Sequence, residues 1–282
     1  MKSPPKKWLF RIAAVVLIPL LALAVLEAGL RIAGYGYSTR LFEKAQINGK
    51  DYLLNNEDFS RRFFPPALSR WPSPLMIEPV KPQNTYRIFI FGESAAQGDP
   101  EPAFGAGRYL EELLKTRYPG VNFEVVNVAI TAINSHVIVP IARECAHYQG
   151  DLWIIYMGNN EMIGPFGAAT VFGAKAPPWP AVRLNLAIQK TRVGQLLMDL
   201  ERKFKSRQNG PQVWGGLQMF LGNQLSPDDP RKTAVYGNFQ RNLQDILRAG
   251  RDSGAAIVVN TISVNLKDCP PFASVPAGKM FG

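Results

Sequence analysis

A serine set between glycines where an apolar run ends is an address for a nucleophile. In this chain Tyr86-Arg87-Ile88-Phe89-Ile90 is strand-like and runs directly into Phe91-Gly92-Glu93-Ser94-Ala95-Ala96-Gln97-Gly98. Side chains at the carboxyl ends of parallel strands face the crevice where ligands bind, and glycine lets the backbone turn sharply enough to expose a hydroxyl. Ser94 is therefore a candidate nucleophile. The alternative is a plain strand-to-helix turn in which Ser94 is only an N-cap.

Two further segments close the next two strand-like runs: Asn127-Val128-Ala129-Ile130-Thr131-Ala132-Ile133-Asn134 and Tyr156-Met157-Gly158-Asn159-Asn160-Glu161. In order and spacing the three resemble the first three sequence blocks of the SGNH (GDSL-like) hydrolases. Gly92-Glu93-Ser94 stands where that family usually has Gly-Asp-Ser, and Gly158-Asn159-Asn160-Glu161 where it has Gly-x-Asn-Asp. The likeness runs from about Tyr86 to Asn265. The two glutamate variants look most like a bacterial branch in which the domain hangs from a membrane anchor and often precedes tetratricopeptide repeats.

Acyl transfer needs a nucleophile and donors aimed at the developing oxyanion. The resemblance assigns the first to Ser94 and the oxyanion donors to the Ser94 N–H, the Ala132 N–H and the Asn160 side-chain amide. Alanine replaces the family's glycine at 132, which keeps the donor but removes the freedom to take positive φ. Gly92, Glu93, Gly158, Asn159 and Glu161 are supporting positions. Glu93 and Glu161 are expected to brace their loops by accepting backbone hydrogen bonds; the alternative for both is a solvated turn carboxylate, and for Asn159-Asn160 a turn rich in side-chain bonds.

The family's last block, Asp-x-x-His, supplies the general base and its orienting carboxylate, and this sequence contains no Asp-x-x-His. Its only histidines, His136 and His147, lie in or beside the helix-like stretch Ser135 to Tyr148. His147 reads as structural at the helix end. His136, close behind the second block, is the one local substitute for the base; capping of the helix start by Asn134, Ser135 or His136 competes with that role. The simplest expectation is a chain broken off before its catalytic Asp and His, a weakened hydrolase in this form.

The elements that must position these residues alternate. Strands are expected near Tyr86–Phe91, Phe123–Val128, Leu152–Met157 and Ala255–Asn260, and helices near Arg108–Tyr118, Asn134–Tyr148 and Lys232–Arg251. In the last, Val235, Phe239, Leu243, Ile246 and Leu247 form one stripe of 3.6-residue period. Pro140 should kink the second helix or delay its start. The alternation implies a parallel sheet covered on both faces, an α/β/α three-layer sandwich of flavodoxin-like type, which is also the fold the resemblance implies.

Residues 1–34 read as a signal-anchor. Trp8 to Leu26 is apolar except for Arg11, and Lys2, Lys6 and Lys7 precede it. About 19 residues from Ile12 to Leu30, with Glu27 the one ionisable group, nearly span a ~30 Å hydrocarbon core. The basic flank keeps the N-terminus cytoplasmic and sends the rest across the inner membrane. A cleavable signal peptide with Leu21-Ala22-Leu23-Ala24 at its site is the rival; the apolar run continuing through Val25-Leu26 favours the anchor.

Residues 35–84 read as an extended proline-rich arm (Pro65, Pro66, Pro72, Pro74, Pro79, Pro82) whose Phe63, Phe64 and Trp71 pack partly on the domain. Residues 85–282 are the hydrolase-like domain. Within it, 162–229 is an excursion with a helix from Val182 to about Phe204, expected to form one wall of the substrate cleft.

Net charge is +10. Residues 1–40 hold six basic side chains against one acidic. The stretch Arg183 to Arg207 holds seven against two, which makes a candidate surface for anionic headgroups or an acidic polymer, or else a solvated helix face. No nucleic-acid motif, metal-ligand cluster or cofactor signature appears. Cys145 falls on an apolar stripe and reads as a buried hydrophobe; Cys269 carries no assignment.

These readings converge on a membrane-anchored serine esterase acting on an ester-bearing carbohydrate or lipid outside the cytoplasmic membrane. The alternatives are a non-catalytic envelope scaffold and an O-acyltransferase using the same serine.

Overall fold

The computed structural model describes residues 5–205, 213–264 and 267; Lys2, Arg207 and Cys269 lie outside them. In chain order the first elements are α1 (Pro5–Ile32), β1 (Phe42–Ile47), β2 (Lys50–Asn55), β3 (Met76–Ile77), β4 (Thr85–Gly92) and α2 (Ser94–Gln97). There follow α3 (Ala106–Arg117), β5 (Asn122–Asn127), α4 (Ser135–Cys145), β6 (Leu152–Tyr156), α5 (Trp179–Ile188), α6 (Arg192–Lys205), α7 (Arg231–Asp252) and β7 (Ala256–Asn260). They divide into two compact units: residues 5–38 with 180–205, and residues 39–179 with 213–264.

The larger unit is built on a four-stranded parallel sheet of order β5-β4-β6-β7. Alternate residues of β4 serve opposite faces, as the two-residue strand period requires. Ile88 and Ile90 pack with Phe123, Val125, Leu152, Ile154 and Leu114 of α3. Phe89 and Phe91 are buried on the other side, where the Phe91 ring lies 4.5 Å from that of Trp153 and Gly250 of α7 abuts Trp153. The α4 residues Val137, Ile141 and Cys145 are fully buried. Helices thus cover both faces, as a near-continuous apolar strand such as β4 demands. The helix α4 runs through Pro140 as a single element, ending at Cys145 rather than Tyr148.

Arg87 is fully buried in β4 and spends its guanidinium on the Glu124 carboxylate, the Tyr148 carbonyl (2.8 Å) and the Glu78 carbonyl (3.0 Å). A buried charge survives only when paired and hydrogen-bonded in this way. The interaction ties the segment before β4 and the turn after α4 to the sheet.

The expected extended arm is corrected. From Thr39 onward the chain belongs to the larger unit, and β1, β2 and β3 form a separate antiparallel sheet. Asn48 and Gly49, with φ of 52° and 78°, turn β1 into β2 with Ile47 opposite Lys50, a two-residue hairpin loop that needs positive φ at both positions. Leu41, Phe42, Leu53, Phe59, Phe63, Phe64, Leu68 and Ile77 are buried there. The prolines lie in the turns around this core, and burial of so many large apolar groups outweighs the extended tendency that proline confers.

In the smaller unit, the 23 residues Phe10–Ile32 of α1 are long and apolar enough to cross a membrane, and none of that apolar window is buried. At 1.5 Å per residue they reach roughly 35 Å. The helix expected over Val182 to Phe204 is two helices. Thr191 breaks them: its Oγ1 accepts the Gly194 N–H at 2.9 Å, capping α6 three residues on.

Candidate active site

Ser94, Ala132 and Asn160 leave the carboxyl ends of β4, β5 and β6, three adjacent parallel strands with β4 in the middle. The chain passes to opposite sides of β4 to form β5 and β6, so the crevice at their ends is the topological switch point, where ligands bind in open α/β sheets. Ser94 is the first residue of α2, with Glu93 rather than Ser94 at the N-cap, and is half-buried. Its neighbour Gly92 is set by a close approach: a Cβ there would stand 2.2 Å from the Tyr156 carbonyl oxygen of β6.

Ala132 is 7 % exposed and has φ of 62°. Alanine therefore holds the left-handed conformation for which glycine is the unstrained choice. Gly158, at φ of 127°, holds one that only glycine adopts readily. Asn160 is 9 % exposed; Asn159, exposed, stands beside it. Among the described residues no protein group takes the Ser94 N–H, the Ala132 N–H or the Asn160 side-chain amide.

Three side-chain links close these loops into a ring. Glu93, fully buried, accepts the backbone N–H of Gly158 at 3.1 Å and of Asn160 at 2.9 Å, joining the first loop to the third. Glu161 accepts the Ser135 N–H and the Ser135 hydroxyl, both at 2.8 Å, joining the third to the second. Thr131 donates its hydroxyl to Gln97 Oε1 at 2.8 Å, joining the second back to α2. Burial, reinforced by the neighbouring Glu161 carboxyl, pushes Glu93 up to about 8, and burial pushes Glu161 up to about 7.

The start of α4 is satisfied differently from the sequence expectation. Asn134, at the N-cap, makes no capping bond and donates instead to the Pro165 carbonyl at 2.8 Å; Glu161 takes the Ser135 N–H.

His136 is 3 % exposed, edge-on to Phe166 at 5.5 Å. Its Nδ1 lies 3.1 Å from the Asn242 amide nitrogen, which also donates to Ser135 Oγ at 2.9 Å. The Trp179 Nε1–H, a donor only, faces Asn242 Oδ1 at 3.1 Å and so fixes which end of that amide donates. His136 Nδ1 is consequently an acceptor, and the Ser135 hydroxyl is free to point its own hydrogen at Glu161. This arrangement gives His136 Nδ1 an internal structural task. His147 is exposed in the turn after α4.

Sequence reasoning missed Gln97, Thr131, Ser135 and Asn242. The first three are short polar residues within or beside the motifs, and their adjacency to Ser94 and Ala132 was the available signal. Asn242 had one of another kind: with Asn238 it repeats at i, i+4 inside the apolar stripe of α7, where both are buried. Among the described residues no cluster of His, Cys, Asp or Glu could hold a metal ion. Cys145 is buried and free, its thiol pushed well up by burial.

No protein-family model matches the chain, and no curated protein does. Among solved structures it is similar to AlinE4, an SGNH-hydrolase family esterase (15 % identity, TM-score 0.26, covering 62 % of this chain and 75 % of that one). It is also similar to TesA (18 %, TM-score 0.28, 61 % and 76 %) and to the acetyl xylan esterase AlAXEase (13 %, TM-score 0.29, 61 % and 76 %). At such identities and TM-scores the functional reading rests on this chain's own residues.

Proposed function

We propose that the larger unit is an SGNH-type serine esterase held to a membrane by α1. The observation that carries the reading is the set of three donors without a protein acceptor among the described residues, the N–H groups of Ser94 and Ala132 and the Asn160 amide, on loops that follow the carboxyl ends of three adjacent strands, the middle one of which leads to the half-buried Ser94. Ser94 Oγ attacks the ester carbonyl carbon, and the carbonyl π electrons move onto oxygen as the new C–O bond forms. The resulting oxyanion is met by the three donors, positioned in advance by the ring of Glu93, Glu161 and Gln97. Collapse expels the alkoxide and leaves an acyl-serine, which water then cleaves.

The hydroxyl proton must leave during attack; among the described residues no hydrogen bond joins the Ser94 hydroxyl to an imidazole, so the proton passes to solvent water. An activated ester whose leaving group departs without a proton isolates what the donors contribute. Serine enzymes stripped of a triad member keep about 10³–10⁴-fold acceleration over water from the oxyanion hole and binding.

The exposed apolar α1 supports anchoring, and the basic flank at Lys6, Lys7 and Arg11 supports a cytoplasmic N-terminus with the esterase unit on the far side. The test is hydrolysis of p-nitrophenyl acetate by the full chain, with Ser94→Ala and Asn160→Ala beside it. Serine-dependent turnover that Asn160→Ala lowers about 10²–10³-fold supports the reading. A rate indifferent to both substitutions, in protein shown to be folded, overturns it.

A further inference from the structure

The helix α6 is inside out. Val193, Leu197, Leu200 and Phe204 recur at i, i+4, i+7 and i+11, one stripe of an α-helix, and Gln195, Asp199 and Arg202 lie on the opposite face. In a water-soluble unit the apolar stripe turns inward. Here the polar face does. Gln195 is 1 % exposed, accepting the Tyr37 N–H at 2.9 Å and donating to the Tyr37 carbonyl at 3.1 Å, and the Tyr35 hydroxyl donates to Asp199 at 2.6 Å. Leu197, Leu200 and Phe204 are 53 %, 42 % and 74 % exposed. The preceding α5 buries Val182 and Leu186 on its inner side but also turns apolar groups outward, with Leu184 and Ile188 exposed.

The same helix is fastened to the apolar span. Glu27, in α1, accepts the Val193 N–H at the start of α6 at 2.9 Å while pairing with Arg31 at 2.7 Å. A carboxylate at that point satisfies an orphan helix donor and complements the positive end of the helix dipole, which gives the ionisable residue in the apolar stretch a definite task. The outward apolar stripe therefore sits beside the carboxyl end of α1, where a membrane-spanning helix leaves the bilayer. Lys190, in the turn between α5 and α6, and Lys203, on α6, are both exposed.

We propose that α5 and α6 form an interfacial paddle lying in the boundary between headgroups and acyl chains of an anionic bilayer. Leu184, Ile188, Leu197, Leu200 and Phe204 enter the apolar side, and Lys190 and Lys203 lie among the headgroups. An apolar face beside cationic side chains on a short helix is the pattern that such a boundary binds. The proposal rests on α1 being a membrane span and adds a second, lateral attachment to it.

The test uses the full chain with Cys269→Ser, in which buried Cys145 is shielded from thiol reagents, reconstituted in vesicles of phosphatidylcholine with phosphatidylglycerol. A polarity-sensitive fluorophore is placed singly at Leu200→Cys, Phe204→Cys, Leu21→Cys in α1, and Glu112→Cys on the exposed surface of α3. Labels at 200 and 204 are expected to lose quenching by aqueous iodide and gain quenching by bromolipids, at a depth of about 5–10 Å below the headgroups. The label at 112 should do the reverse. Lys190→Glu with Lys203→Glu should reduce bromolipid quenching at 200 in the anionic vesicles. If 200 and 204 behave like 112 while 21 is lipid-quenched, the paddle falls and the anchor stands; if 21 is also water-exposed, the anchor itself falls.

Discussion

Glu93 Oε2 accepts the backbone N–H of Asn160 at 2.9 Å, so the residue before the candidate nucleophile holds the residue that carries the candidate side-chain oxyanion donor. Its other oxygen takes the Gly158 N–H at 3.1 Å. Glu93→Gln keeps the size but can accept only one of these bonds and turns an N–H toward the other donor. Asn160 should shift, and misplacement of one catalytic group by about 1 Å is worth as much as 10²-fold in rate. The expected result is a kcat on p-nitrophenyl acetate lowered about 10- to 100-fold, with KM nearly unchanged because the interaction acts in the transition state. An unchanged kcat for Glu93→Gln alongside a collapsed Asn160→Ala would show that Glu93 does not position the amide.

The same carboxyl groups set a pH dependence. Both have an ordinary value of 4.5, and the folded protein raises them to about 8 at Glu93 and about 7 at Glu161, chiefly through burial. The folded state therefore binds more protons than the unfolded chain between about pH 4.5 and 8, and stability falls as pH rises through that window. Below it the contribution is fully present; above it, it is lost. At about 1.4 kcal/mol per pKa unit, the two shifts together amount to several kcal/mol. Urea unfolding midpoints from pH 5 to 9 measure it, with Glu161→Gln expected to flatten the profile between about 5 and 7. A midpoint that climbs over this range contradicts the raised values.

The sheet was legible because β4, β5, β6 and β7 are short apolar runs ending in turn residues, and their boundaries match the expected ones within a residue or two. The small antiparallel sheet was not, although Asn48-Gly49 is a hairpin signal that stands in the sequence. Proline density drew attention to the wrong property, since Pro65 and Pro66 open a 3₁₀ turn whose Leu68 is buried. The break at Thr191 was likewise written as a capping residue between two apolar patterns. At the site, residue types pointed to the candidate nucleophile and donors, but the ring joining their loops depends on pairs such as Thr131 with Gln97 and Glu161 with Ser135. Pairings across the sheet edge follow from strand order, which a single sequence leaves open.

Ala132 offers a test of strain at the second donor. With φ of 62°, an alanine there costs about 1–2 kcal/mol relative to an unstrained backbone. Glycine removes that cost but adds chain entropy to the unfolded state, about 0.4–1 kcal/mol in the other direction. Ala132→Gly should therefore be neutral to about 1 kcal/mol stabilising in urea denaturation. Ala132→Val, a β-branched residue forced to positive φ, should lose 2 kcal/mol or more. Equal destabilisation by glycine and valine would mean that the left-handed conformation is not maintained in solution.

Asn242 connects the site to its surroundings through one amide: it donates to Ser135 Oγ and His136 Nδ1 and accepts from Trp179 Nε1. Leucine fills a similar volume and can do none of these. Ser135 would lose the donor that leaves its hydroxyl hydrogen directed at Glu161, and the indole would lose its partner on α7. Asn242→Leu should cost about 1–3 kcal/mol, the penalty for stranding buried polar groups. Two readouts separate a network role from simple packing: the indole emission should shift to longer wavelength if Trp179 moves toward water, and the pH dependence of stability assigned to Glu161 should change. Asn242→Gln, which retains both amide functions on a longer arm, should recover part of the emission shift. If Asn242→Leu leaves emission and pH profile as they are, the amide is not the joint between α7, α4 and the Glu161 loop.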